Sequence, residues 1–254
     1  MTHTDDKQHS RYSENEWAAR VELAACYQLA DIFGFSDIIW NHITAKIPGT
    51  EHFLINRFGL RYDEITASSL ITVNIDGSVI DAGNATSSDT VNTTGFIIHS
   101  AIHAARHDAH CIFHSHADAG LVISVLKEGL LPMIQDAMLI YGRVSYHDYE
   151  GLAVDTDERE RLALSLGSNN ALILRNHGLL TCGATVGEAF MTMVYLERAC
   201  KVQAAVLATG REFVLPSSDV CETAARQYAA FPYGHYEWPA LLRMLDGRSP
   251  DYRS

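Results

Sequence analysis

The chain has 254 residues, 47% of them hydrophobic and 20% charged, with a formal net charge of −12. That length suits one large domain with its own core. The acidic balance argues against nucleic acid and anionic membranes, which need a basic footprint, but not against a small anionic substrate, because a metal ion or a helix N-terminus reverses the field locally. The cysteines, Cys26, Cys111, Cys182, Cys200 and Cys221, form no C-x-x-C pair and read as buried thiols of a reducing cytosol. The polar start MTHTDDKQHS has no apolar run, and no segment approaches the ~18 apolar residues of a membrane span, so a cytoplasmic location is expected.

In chain order, residues 1–12 read as a loose polar arm. Ser13 and Glu16 form an S-x-x-E capping box opening a helix over 14–33 that stops at Gly34. Short strands follow over 38–47, 52–56 and 69–74, with turns at Pro48-Gly49 and Asp76-Gly77. Thr93 or Thr94 is placed to cap a helix running to Arg106. The apolar run Cys111-Ile112-Phe113 predicts a strand ending at His114, then a helix over 118–127. A strand pair is expected over 133–147, a helix capped by Asp155 ending at Leu166, and a buried strand over 171–175 entering Asn176-His177-Gly178. Thr185 and Glu188 form a second capping box, opening a long helix over 186–208 that stops at Gly210. The domain is therefore drawn over 13–215, with 216–254 a C-terminal extension ending in a flexible tail, DGRSPDYRS. Strands cluster between helices without regular βαβ alternation. The expected fold class is a single-domain α/β with a central mixed sheet flanked by helices.

Among thirteen histidines, three stand out. His114 and His116 lie two residues apart at a strand end, and the strand period of two sends both imidazoles from one face. His177 ends a second apolar strand, followed by a glycine that frees the backbone to turn. Three histidines with an open fourth position suit a catalytic metal site better than a structural one. A rival pair, His99 and His103, sits at i and i+4 on one helix, without a third ligand.

The stretches NHITAKIPG (41–49), FLINRFGLRYDEITASSL (53–70), GFIIHSAIHAARHDAHCIFHSHA (95–117), ALILRNHGLL (171–180) and YLERACKVQ (195–203) together resemble the class II aldolase/adducin family over residues 15–215. The resemblance implies a Zn²⁺-type ion on His114, His116 and His177, with Mn²⁺ and Fe²⁺ as alternatives, and a four-fold homo-oligomer. In the sugar-phosphate aldolases of that family a glutamate stands four residues before the position of His99; here that position is Gly95, closer to the adducin branch. Thr93 and Thr94 match two phosphate-binding serines. Asn41 matches an asparagine that helps to bind the substrate's anionic group, and a family tyrosine falls near Asp136.

The chemistry this leaves is a metal acting as Lewis acid toward a small oxo or hydroxy acid, with cleavage or decarboxylation through a stabilised enolate. Asp136, Tyr146 and His147 are the proton-transfer candidates, the last two in the run YHDYE with Asp148, Tyr149 and Glu150. Asn41, Thr44, Thr93, Thr94 and Gln135 are the substrate-binding candidates. Two other readings stay open: a non-catalytic binding module like the adducin head, and a non-heme iron oxygenase.

Overall fold

The computed structural model describes residues 11–83, 91–151 and 158–254, the side chains of Thr93 and Thr94 excepted. Among the described residues eight strands form one sheet: β1 (His42–Lys46), β2 (Phe53–Ile55), β3 (Ile71–Val73), β4 (Val79–Asp81), β5 (Cys111–Ser115), β6 (Val144–His147), β7 (Ala171–Leu174) and β8 (Gly178–Gly183). Their order is β4-β3-β2-β1-β5-β8-β7-β6. Every neighbouring pair is antiparallel except β6–β7. The expected mixed sheet flanked by helices is thus what the chain forms.

Its central strands are buried on both faces, so they read as continuous apolar runs rather than alternating ones. One face carries Ile112, Leu172, Leu174, Leu180 and Cys182, packed under Ile98 and Ile102 of α2 (Thr93–Ala105) and Leu162 and Leu166 of α5 (Glu158–Leu166). The other face, with Ile43, Phe113, Ile173 and Leu179, packs under α1 (Glu14–Ile32), α3 (Asp118–Ser124) and α6 (Val186–Ala208).

Several expectations need correction. The segment 133–147 is not a strand pair: Gln135–Leu139 is a helix, α4, and only Val144–His147 is a strand. Its apolar residues Ile134, Ala137, Met138 and Tyr141 recur at three- and four-residue steps, which is the helical period. Asn92, rather than Thr93 or Thr94, caps α2, its side chain accepting from the Gly95 amide. Both capping boxes are half made. Ser13 and Thr185 accept from the amides of Glu16 and Glu188, but Glu16 turns to Arg20 and Glu188 to the Ala184 amide. Strands β4 and β8 were not foreseen from sequence. The proposed Asp155 cap and residues 1–10 of the polar arm lie outside the described residues.

The C-terminal stretch is not a flexible tail. Helices α7 (Ser218–Tyr228) and α8 (Glu237–Asp246) are followed by a 3-10 turn in which Tyr252 is fully buried, and the Ser68 amide donates to the Ser254 carbonyl. Trp238 seats this region: its indole packs on Phe190 and donates to Glu22 at 2.8 Å. A Cβ on Gly187 would fall 2.8 Å from that of Trp238, so only glycine lets α6 and α8 meet this closely. Trp238→Ala, which opens a cavity between α1, α6 and α8, is expected to lower the unfolding free energy by about 3–5 kcal/mol in urea titrations.

Candidate metal centre

The buried strand β5 delivers His114 and then His116, whose ring centroids are 4.7 Å apart. His177 arrives through the β7–β8 hairpin. Its three-residue loop places Asn176 in the left-handed region, φ 58°, which asparagine tolerates better than most residues. A Cβ on Gly178 would lie 2.5 Å from the Ser115 carbonyl oxygen, so glycine is what allows β8 to start flush against β5. The His177 ring then lies 4.8 Å from that of His114 and 5.1 Å from that of His116. One nitrogen from each of the three lies within 4.8 Å of the others.

Hydrogen bonds set which nitrogens converge. His114 donates its Nδ1–H to the Leu179 carbonyl at 2.9 Å, and His116 donates its Nδ1–H to Asp37 at 2.8 Å. The Nε2 atoms, 3.0 Å apart, then face each other with lone pairs. Two lone pairs at that distance repel, and a cation between them reverses the sign. Three converging imidazoles, two of them with their outer nitrogens held in this way, fit a divalent transition ion. Burial, then the neighbouring His177, His42 and His116, holds His114 well below the usual imidazole range. Burial, then His116, lowers His177 to about 4. Asp37 sits beside Ile38, a β-branched residue at φ 49° and an outlier for its type. That turn brings the Asp37 carboxylate to His116.

The three histidines open on a cavity of about 290 Å³ whose walls include Asp37, Trp40, His42, Gly95 and Tyr149. Tyr149 is half exposed, its ring 6.4 Å from that of His177. Of the run YHDYE, this tyrosine reaches the cavity. Tyr146 does not: its hydroxyl accepts from the Leu130 amide, and its ring lies under Arg175. His147 is buried behind His177, its Nδ1 bonded to Ser165. Asp136, on α4, pairs with Arg198 at 3.6 Å, and Gln135 is solvent-exposed beside it. The structure therefore brings none of the catalytic candidates Asp136, Tyr146 and His147 to the cavity wall.

Among the substrate-binding candidates, Asn41 is buried and donates to the Phe35 carbonyl. Thr44 is buried with its hydroxyl between His99 and His103. Both are buried within the fold, where the Asn41 side-chain oxygen has no hydrogen-bond partner among the described residues. Thr93 and Thr94 begin α2, and their side chains lie outside the described residues. His99 and His103 are not a metal pair, because the Thr44 hydroxyl separates them. The residue that sequence reasoning passed over is His42. It pairs directly with His114 across β1 and β5, on the same face. The signal was present as His42 and Thr44 at strand spacing and His99 and His103 at helical spacing.

Burial, with Lys46 nearby, lowers His103 to about 3, far below its unfolded value near ~6.5. A depressed histidine means that the unfolded chain binds more protons between those two values. Stability is therefore full above pH ~6.5 and is lost as pH falls toward 3. In the metal-free protein His177 adds to the loss down to about 4. Urea unfolding at pH 7, 6, 5 and 4 is expected to show a falling unfolding free energy at every step, with each such histidine contributing about 1.4 kcal/mol per pH unit inside its window.

Comparison with known proteins agrees with this fold. Residues 21–204 match the family described as Class II Aldolase and Adducin N-terminal domain. A solved aldolase II superfamily protein from Pseudomonas syringae superimposes with a TM-score of 0.92 at 45% identity, covering 97% of this chain and 99% of that one. The L-fuculose 1-phosphate aldolase from Glaciozyma antarctica does so at 0.83 and 30% identity, covering 95% and 93%. Rat alpha-adducin is 43% identical over 92% of this chain, which spans 34% of the adducin. The chain belongs to the class II aldolase and adducin N-terminal domain family.

Proposed function

We propose that this domain is a metal-dependent carbon–carbon lyase, of aldolase or decarboxylase type, acting on a small anionic oxo or hydroxy acid. The observation that carries the reading is the convergence of three imidazoles, those of His114 and His116 with their outer nitrogens already bonded, on a cavity of about 290 Å³. His114, His116 and His177 would hold the ion, for which Zn²⁺ is the first choice. When bound, it supplies Lewis-acid polarisation of a substrate oxygen. Asp37 is engaged with the far nitrogen of His116, so the set is three imidazoles rather than the two-histidine, one-carboxylate set of non-heme iron oxygenases.

The chain's own groups supply the rest. Tyr149 is positioned to give a proton to a departing carbon or oxygen. Trp40 forms an apolar wall that limits water. The N-terminus of α2, at Asn92 and Gly95, opens on the cavity and favours an anionic group there. The likeness to L-fuculose 1-phosphate aldolase supports the lyase class. Homo-oligomerisation, four-fold by family resemblance, belongs to the same reading. No described helix is long and apolar enough to cross a membrane. The similarity to alpha-adducin favours a second reading, a binding module that keeps the metal-site geometry.

Elemental analysis of tag-free protein decides between them. The lyase reading expects close to one Zn²⁺ or Mn²⁺ per chain, absent from the His114→Ala/His116→Ala double variant, and turnover of at least one member of a panel of small hydroxy and oxo acids. A wild-type protein that holds no metal and takes up none from added Zn²⁺ or Mn²⁺ leaves the binding module. Asp37→Ala, which frees the His116 ring, is expected to weaken metal affinity about 10–100-fold in chelator competition while leaving the fold intact.

A further inference from the structure

Between β1 and α2 runs a buried row of polar side chains that metal binding does not require. His103 Nδ1 lies 3.1 Å from the Ala109 carbonyl oxygen, and its Nε2 lies 2.8 Å from the Thr44 hydroxyl. That hydroxyl is 2.7 Å from His99 Nδ1, and His99 Nε2 is 2.9 Å from His42 Nδ1. All four side chains are buried. A row of this kind persists in a core only if every member is satisfied.

The carbonyl at one end can only accept, and this fixes the direction of the whole row. With neutral rings, which burial favours, His103 donates through Nδ1 and so accepts at Nε2. Thr44 has one hydrogen and gives it to His103, so its oxygen accepts from His99 Nδ1–H. His99 Nε2 then accepts from His42 Nδ1–H. The last atom, His42 Nε2, is left with a lone pair. His42 lines the cavity, its ring 5.1 Å from that of His114. Its place depends on a missing side chain: a Cβ on Gly95 would fall 2.2 Å from His42 Cδ2 and 2.3 Å from Nε2.

We propose that His42 Nε2 is a fixed hydrogen-bond acceptor that selects substrates carrying a hydroxyl beside the oxygen that meets the three-histidine centre, with His99, Thr44 and His103 as positioning residues. The substrate class is then a 2-hydroxy acid or hydroxy carbonyl compound. A ligand offering a keto or carboxylate oxygen at this point meets lone pair with lone pair. The inference rests on the metal-lyase reading for its ligand, but the direction of the row does not.

Two measurements test it. In the metal-free protein, imidazole ¹⁵N shifts are expected to show His42 protonated on Nδ1 and bare on Nε2, with that preference lost in Thr44→Val. A proton on His42 Nε2 in the wild type overturns the proposal without any ligand or metal. In the Co²⁺-loaded protein, visible titration is expected to show glycolate binding more tightly than methoxyacetate, which keeps the chelating oxygens and lacks the O–H. That ratio should fall about tenfold in Thr44→Val and in His42→Leu, the worth of one good hydrogen bond. An unchanged ratio, or no binding of either probe, overturns the selectivity. A protein that takes up no Co²⁺ overturns the metal reading and the ligand class together, while the nitrogen shifts still decide the direction of the row.

Discussion

The close antiparallel pairing of β5 with β1 on one side and β8 on the other is the constraint on which the site depends. The β1 register sets His42 beside His114, and the β8 register sets the Leu179 carbonyl where His114 Nδ1 can reach it. Gly178 permits the second contact and Gly95 makes room beside the first. Both work by lacking a side chain where another group must stand. A sheet slipped by one residue would turn both His114 and His116 to the opposite face, because side chains alternate. The apolar neighbours that fix the register, Ile112 and Phe113 within β5 and Leu180 on β8, therefore also fix the chemistry.

The polar interior is arranged economically. Tyr27 gives its hydroxyl hydrogen to the Ile43 carbonyl and accepts from the Ile43 amide at 2.7 Å, tying α1 to the start of β1. Arg20, fully buried, joins Glu16, Asp81, Thr72 and the Leu70 carbonyl, which ties α1 to the far edge of the sheet. Tyr27 holds β1 from one side while the His99–Thr44–His103 row holds it from the other. The strand that carries His42 has little freedom to shift, which is what a site needs when its groups must meet to within a fraction of an ångström.

The meeting of His114, His116 and His177 is legible in the sequence because it follows from two local rules, the strand period of two and the histidine–glycine turn. The mixed sheet under helices is legible from the spacing of apolar runs. What was not legible is non-local. His42 is an ordinary strand residue until the register places it against His114, and Thr44 and His99 gain meaning only when α2 lies on β1. Strand β8 was missed because Gly178 at its start reads as a turn residue, whereas it closes on β5. Residues 133–147 were misread because the helical spacing of Ile134, Ala137, Met138 and Tyr141 covers only about two turns and runs straight into the strand Val144–His147.

The seat of Trp238 has a further consequence for how the chain acquires its fold. The indole and its acceptor Glu22 are 216 residues apart in sequence. On a ribosome adding about 5–20 residues per second, helix α1 would wait on the order of 10–40 seconds for that partner. During that interval β1, the turns over 62–69 and later α6 can pack against it, while the side that α8 covers stays open. Contacts so distant close slowly, since the loop entropy must be spent before the contact repays it. The nascent domain therefore finishes covering its first helix only when its C-terminal helices have been made, so the two ends of the chain close the fold together.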